Sequence, residues 1–148
     1  GVLILLGGGD ARGRGPAVAA RLTSLGEKVS LILGPRAPDA PSLSGVEITR
    51  DPADLPARMA ACLWAVTNGG VTMTELMCLG KAVHVVPQTE HEERLARHLL
   101  ALGTLLGVGE DSLCAPDAAT RQTVGAAARR AIDGRGLERI ADEIERLA

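Results

Sequence analysis

The sequence predicts an α/β fold, in which a parallel β-sheet lies between two layers of helices as a three-layer sandwich. Short apolar runs, typical of strands buried on both faces, alternate with longer segments of helical periodicity. Glycine or proline separates most of these segments, as expected for short connecting turns. This alternation favours a parallel sheet with helices on both of its faces.

The apolar pattern gives the predicted order of elements, beginning with the strand VLILL. The last helix carries apolar residues on one stripe, from Leu137 through Ile140 and Ile144 to Leu147, which predicts that it packs against the domain. The predicted strands are residues 2–6, 29–33, 46–49, 64–67 and 82–86, with a further short strand near 105–108. The predicted helices are residues 16–25, 54–62, 71–79, 91–102, 117–132 and 137–147.

The composition is that of one globular domain whose core is aliphatic. The chain has 148 residues, of which 46% are hydrophobic and 23% charged, with one Trp and no Phe or Tyr. The net charge is −2 and both signs are interspersed, so we expect no nucleic-acid partner. No apolar run reaches the about 20 residues that span a bilayer.

The cysteines favour a reducing compartment. Cys62, Cys78 and Cys114 are odd in number and widely spaced, which predicts free thiols and a cytoplasmic protein. Their spacing indicates no metal site, and no cofactor is predicted.

The first residue of the chain is Gly1, and a core strand follows it directly. Natural domains seldom begin in this way. The 148 residues are therefore interpreted as a single domain cut from a longer, two-domain protein. An apolar face left by the other domain could pair with a second copy, giving a crystal or homo-dimer contact.

The segment WAVTNGGVTMTE, residues 64–75, is the most informative part of the chain. It predicts a buried strand, a turn with two glycines and the first turn of a helix. Free backbone N–H groups and the positive end of the helix dipole suit an anion there, above all a phosphate. The alternative is an ordinary helix start. The candidate residues are Asn68, Gly69, Gly70, Val71, Thr72 and Glu75.

A second glycine-rich loop, GGGDARGRG, follows the first strand. It lacks the dinucleotide fingerprint because Arg12 stands where a third small residue is required, and no Gly-Lys-Ser/Thr makes it a phosphate-binding Walker loop. Alone, it is equally compatible with a plain turn. However, both glycine loops follow strands, and the carboxyl ends of parallel strands share one edge. The candidates here are Gly8, Gly9, Asp10 and Arg12.

A third candidate segment follows Pro87 at the end of the fifth predicted strand. Glu90 and His91 could meet a sugar or a phosphate at the same edge, or form a solvated acidic helix start. His84, inside an apolar strand, is predicted to be a core histidine, and His98 to lie on a helix surface.

The sequence TNGGVTMTELMCLGKAVHVVP resembles the C-terminal nucleotide-binding half of GT-B enzymes, particularly glycosyltransferase family 28. Gly69 and Glu75 keep that family's spacing, and Leu79-Gly80-Lys81 and Pro87 also match. The LGGGDAR segment is similar to the FGGxDPR start of the same half of UDP-sugar hydrolases of pseudaminic acid biosynthesis and their spore-coat polysaccharide relatives. The resemblance spans residues 2–102.

The resemblance implies a Rossmann-like domain, the C-terminal half of a GT-B fold, that binds a UDP-sugar. Glu75 would bind the ribose hydroxyls, and the backbone of Gly70, Val71 and Thr72 the diphosphate. Further implied contacts are Gly8, Gly9 and Asp10 on the opposite wall, with Arg12 beside them, and main chain near Thr49 and Arg50 at the uracil. The enzyme would act in surface polysaccharide or nonulosonic acid biosynthesis, as a hydrolase or a glycosyltransferase.

The resemblance also implies that catalytic residues lie in an N-terminal half of the same protein, so that this chain is inactive alone. Where the hydrolases have Glu-Asn-Gln, this chain has Glu90-His91-Glu92. Two alternatives stay open. Non-hydrolysing UDP-N-acetylglucosamine 2-epimerases carry a Thr-Glu-Arg-Pro-Glu stretch that residues 89–93 echo, although their glutamates follow the glycine pair sooner. A non-catalytic GT-B-like binding module is the other.

Overall fold

The computed structural model describes residues 1–147 and confirms the predicted α/β fold. Its six strands pair in parallel in one sheet, with helices on both faces. The strands are β1 (Val2–Leu5), β2 (Val29–Leu33), β3 (Val46–Arg50), β4 (Trp64–Thr67), β5 (Ala82–Val85) and β6 (Gly107–Val108). The helices are α1 (Gly15–Ser24), α2 (Leu55–Ala61), α3 (Val71–Cys78), α4 (Glu90–Ala101), α5 (Ala118–Ala131) and α6 (Gly136–Leu147).

The strand order places the loops after β1 and β4 side by side. The sheet runs β3-β2-β1-β4-β5-β6, so the chain builds outward from β1 and then crosses to its other side. Leu5 of β1 is in register with Thr67 of β4. Ligands of such sheets bind outside the carboxyl ends of the strands, where the order reverses. We call the edge formed by these carboxyl ends the rim.

Each face of the sheet has its own aliphatic core. Alternate residues of β1 point to opposite faces of the sheet. Val2 and Ile4 lie on the face covered by α1, and Leu3 and Leu5 lie on the opposite face. Met59, Met73, Leu76 and Leu99 from α2, α3 and α4 complete that opposite core. The apolar strand runs are therefore buried on both sides, as their composition predicts.

Glycines end the first and third helices as the sequence predicts. Gly26 follows α1 and Gly80 follows α3, with φ angles of 85° and 71° that only glycine adopts readily. His84 is buried in β5 with Nε2 2.8 Å from the carbonyl oxygen of Gly109, so it is a core histidine, and burial lowers its pKa. His98 is exposed on α4.

The prediction that the last helix packs against the domain is wrong. None of the residues of α6 is buried, and its stripe is 81% exposed at Leu137, 60% at Ile140, 63% at Ile144 and 79% at Leu147. Ala141, on the same stripe, is also exposed. Helical periodicity shows that a helix has an apolar face, but it does not show that the described residues cover that face.

Candidate functional site

The two glycine loops meet at the rim. Loop 1 is residues 7–14 after β1, and loop 2 is residues 68–70 after β4. A Cβ placed on Gly7 would lie 3.3 Å from Nδ2 of Asn68, so the Asn68 side chain packs directly against loop 1. The predicted convergence of the loops is confirmed, and it follows from the pairing of β1 with β4.

Loop 2 leaves the start of α3 open. Gly70 is its extended N-cap residue and no side chain caps the helix. Met73 N–H donates to the Gly70 carbonyl at 3.1 Å, whereas the N–H groups of Val71 and Thr72 have no acceptor among residues 1–147. Unfilled N–H groups and the positive end of the helix dipole are the features that favour an anion at a helix start.

A cavity of about 140 Å³ lies at the rim beside this open helix start. Gly7 and Gly8 of loop 1, Gly34 after β2, Asp51 after β3 and Thr72 of α3 all line it. Four segments that are distant in sequence therefore contribute to one crevice. Asp51 has a φ of 42°, a left-handed conformation that Asp tolerates better than most residues. Thr49 lies inside β3, two residues before Asp51, and is absent from the lining.

Glu75 is exposed one turn into α3 and borders a larger crevice. This cavity, of about 500 Å³, lies between α2, α3 and the segment that joins α5 to α6. Its walls are mostly apolar, with Leu55, Met59, Leu79 and Ile132 among them. Leu55 lines both cavities, so the two adjoin. Within the described residues the Glu75 carboxylate has no hydrogen bond and no ion pair, which leaves it available to a ligand.

Asp10 of loop 1 points inward to the start of α1. Its carboxylate accepts hydrogen bonds from the backbone N–H of Arg14 at 3.0 Å and of Gly15 at 2.7 Å. The residue is only 6% exposed and has a φ of 35°. A side-chain anion thus already fills the anion site that α1 could offer. In the same loop, Gly8 and Arg12 are exposed and Gly9 is half-buried.

The third segment contains a residue that sequence reasoning missed. Glu90 and His91 are exposed at the start of α4, whereas Glu92 turns towards the rim. One oxygen of Glu92 accepts from Asn68 Nδ2 at 2.8 Å and the other from Gln88 N–H at 2.7 Å. Thr89 Oγ1 accepts from Glu92 N–H at 3.2 Å. Thr89 and Glu92 have the Thr-x-x-Glu spacing of a capping box, and this spacing could have singled out Glu92 in the sequence.

Gln88 is the second residue missed, at the end of β5. Its Oε1 and Nε2 are out of contact with solvent and have no hydrogen-bond partner among residues 1–147. Buried amide atoms are nearly always paired, so this carboxamide is an exception within the described residues.

Two other classes of feature are absent over residues 1–147. No three His, Cys, Asp or Glu side chains cluster so as to hold a metal ion. No helix in that range combines the length and the apolar character needed to cross a membrane. The cysteines are free, and burial raises the pKa of the Cys62 thiol.

Comparison with known proteins relates the fold to one class of enzyme. No protein-family model and no curated protein sequence match this chain. Among solved structures, MurG of Acinetobacter baumannii is similar over 98% of this chain, with a TM-score of 0.73 and 16% identity. The chain has the fold of half a GT-B glycosyltransferase. It spans 49% of that MurG chain.

Two further glycosyltransferase structures agree with this assignment of the fold. SnogD from Streptomyces nogalater matches 90% of this chain with a TM-score of 0.64 and 18% identity. The glycotransferase of kitacinnamycin matches 98% with a TM-score of 0.66 and 21% identity. This chain spans 39% and 42% of those two chains. The expected likeness to GT-B glycosyltransferases is thus confirmed, while the narrower likeness to UDP-sugar hydrolases stays a prediction.

Proposed function

We propose that this chain is the C-terminal, donor-binding half of a GT-B enzyme that uses a UDP-sugar. The observation that carries the proposal is the open start of α3, whose Val71 and Thr72 N–H groups have no acceptor among residues 1–147. The glycines of loop 2 let a diphosphate approach these groups closely. Glu75, unpaired within the described chain, follows one turn later, where a ribose would lie beside the diphosphate.

The proposed chemistry breaks the bond between the anomeric carbon of the sugar and the diphosphate. Negative charge grows on the departing UDP as that bond lengthens. The fixed N–H groups of α3 and the helix dipole stabilise this charge without having to reorganise. Residues that activate the acceptor belong, in this proposal, to an N-terminal half, so the chain alone binds UDP but does not turn over.

Around the diphosphate, the proposal keeps Gly8 and Gly9 as the opposite wall. Asp10 then acts indirectly, because its carboxylate is bonded to α1 and shapes loop 1 from inside. For the uracil, the cavity at the rim favours main chain at Asp51 over the expected Thr49. Exposed Glu90 and His91 are available to the sugar.

Transfer is favoured over hydrolysis because the three similar structures are all glycosyltransferases. Surface polysaccharide or nonulosonic acid synthesis in the cytoplasm is the proposed setting. The epimerase alternative is weakened because Glu92, in the stretch that echoes those enzymes, uses both oxygens within the chain.

Calorimetric titration with UDP tests the proposal. We expect the chain to bind UDP with a dissociation constant between micromolar and millimolar, and Glu75→Ala to weaken binding about tenfold through lost charged hydrogen bonds. Glu145→Ala, which removes an exposed glutamate of α6, is the matched control and should bind as the unaltered chain does.

Absence of binding at millimolar UDP would refute the proposal, as would equal losses in both variants. A non-catalytic module would show no shift of melting temperature with nucleotide, because only a ligand of the native state stabilises it.

A further inference from the structure

Glu92 joins the ends of two neighbouring strands at the rim. Its Oε1 accepts from the side-chain amide of Asn68, which follows β4, and its Oε2 from the backbone N–H of Gln88, which follows β5. The two contacts are 2.8 and 2.7 Å long. We call these two hydrogen bonds the Glu92 bridge.

Loop 2, whose Asn68 takes part in the Glu92 bridge, also packs closely against α4. A Cβ on Gly69 would lie 2.7 Å from Cβ of Glu92 and 2.9 Å from its carbonyl oxygen, so only glycine fits. The Asn68 amide that Glu92 holds also lies close to one glycine of each loop. A Cβ placed on Gly7 would lie 3.3 Å from Asn68 Nδ2, and one placed on Gly70 would lie 3.1 Å from it. A single carboxylate thus fixes the side chain that contacts both glycine loops.

We propose that Glu92 is a positioning residue, which holds Asn68 so that the first N–H groups of α3 are preset to receive the diphosphate. This inference rests on the proposed function and deepens it. Loop 2 has no side-chain cap of its own, and two adjacent glycines are costly to order. Ordering the loop before the ligand arrives removes that cost from the binding step.

Direct contact with the sugar is the competing role for Glu92. The two roles differ in what they require of the ligand. A positioning residue affects UDP and a UDP-sugar equally, because both carry the diphosphate. A residue that binds sugar hydroxyls affects only the UDP-sugar. The two bonds to Asn68 and Gln88 favour the first role, since they engage both oxygens of the carboxylate.

The test compares Glu92→Ala, Glu92→Gln and the control Glu93→Gln, titrated with UDP and with UDP-N-acetylglucosamine. Glu93 is the next residue of α4, and its partner is the exposed Arg97. We expect Glu92→Ala to weaken both ligands by the same factor, about tenfold. Glu92→Gln retains one acceptor oxygen and should lose less, and Glu93→Gln should change neither affinity.

Loss of affinity for UDP-N-acetylglucosamine alone would overturn the proposal in favour of direct sugar contact, and unchanged affinities would also overturn it. If Glu92→Ala does not fold, an equal loss for both ligands in Glu92→Gln supports the proposal and no loss overturns it.

If the unaltered chain binds neither ligand, the proposed function fails. The effect of Glu92 on loop 2 is then tested separately, by measuring amide hydrogen exchange at Gly70 and Val71. Faster exchange in Glu92→Ala than in Glu93→Gln would support positioning of the loop, and equal exchange would overturn it.

Discussion

The two glycine-rich loops occupy equivalent places in the fold but differ in how they meet the helix that follows. Both join a buried parallel strand to a helix at the rim. In loop 1 the Asp10 carboxylate accepts from the first N–H groups of α1, whereas in loop 2 the first N–H groups of α3 meet no acceptor among residues 1–147. Loop 1 thus supplies an acceptor to the start of its helix, and loop 2 does not.

The difference shows that a glycine-rich turn before a helix is not in itself a phosphate site. What decides is whether a side-chain anion of the protein already occupies the helix start. Loop 1 has such an anion, and in the proposed site it forms the opposite wall. In loop 2 no such anion is present: Glu92 accepts from the Asn68 side chain, and the first N–H groups of α3 stay free among residues 1–147.

The largest expected effect that tests this comparison comes from Asp10→Ala. The change leaves two N–H groups at a buried helix start without their acceptor, so we expect the free energy of unfolding to fall by about 3 kcal/mol in urea denaturation. The control Asp117→Ala removes the exposed cap of α5, which accepts from Thr120 N–H, and should lower the stability clearly less than Asp10→Ala does. Unchanged stability of Asp10→Ala together with lost UDP binding would mean that Asp10 faces the ligand instead.

A pair of glycine substitutions gives the next largest effect. In loop 2, Gly69→Ala drives a methyl group into the backbone of Glu92, and we expect a loss of about 1–3 kcal/mol. In loop 1, Gly9→Ala meets no atom within 4 Å and should change stability by less than about 0.5 kcal/mol. Thermal unfolding of both variants measures the contrast, and equal losses would contradict the close packing of loop 2 on α4.

The smallest expected effect is a change in the chemical shifts of a few backbone amides when pyrophosphate is titrated into the protein. The amides of Val71 and Thr72 should move, because they are open, while those of Arg14 and Gly15 should not, because Asp10 occupies them. In Asp10→Ala the Arg14 and Gly15 amides should begin to respond. Shifts at α1 in the unaltered chain would show that the two loops are alike after all.

Most of the fold could be predicted from the sequence because apolar runs, and the glycines that separate them, are local signals. The strands, the parallel sheet and the meeting of the two loops are confirmed. The packing of α6 could not be predicted. The stripe that includes Leu137 and Ile144 shows that the helix has an apolar face, but it does not show which surface, if any, covers that face.

The site was only partly predictable for a related reason. Val71 and Glu75 lie in one continuous motif, four residues apart on α3, so their place on one side of the helix follows from helical spacing. Glu92 is 24 residues from Asn68, and only the pairing of β4 with β5 brings them together. Asp10 faces the start of α1 from a backbone conformation with a φ of 35°. The residue types in the loop do not predict that conformation.

Trp64, at the start of β4, is completely buried, and the chain contains no other aromatic residue of the Phe, Tyr and Trp class. Near-ultraviolet fluorescence therefore comes from one indole at the start of a central strand. That indole is roughly 10 Å along the strand from the carboxyl end, at about 3.3 Å per residue. Emission from this single fluorophore should follow the collapse or melting of the sheet, with no overlapping signal from a second chromophore to be subtracted.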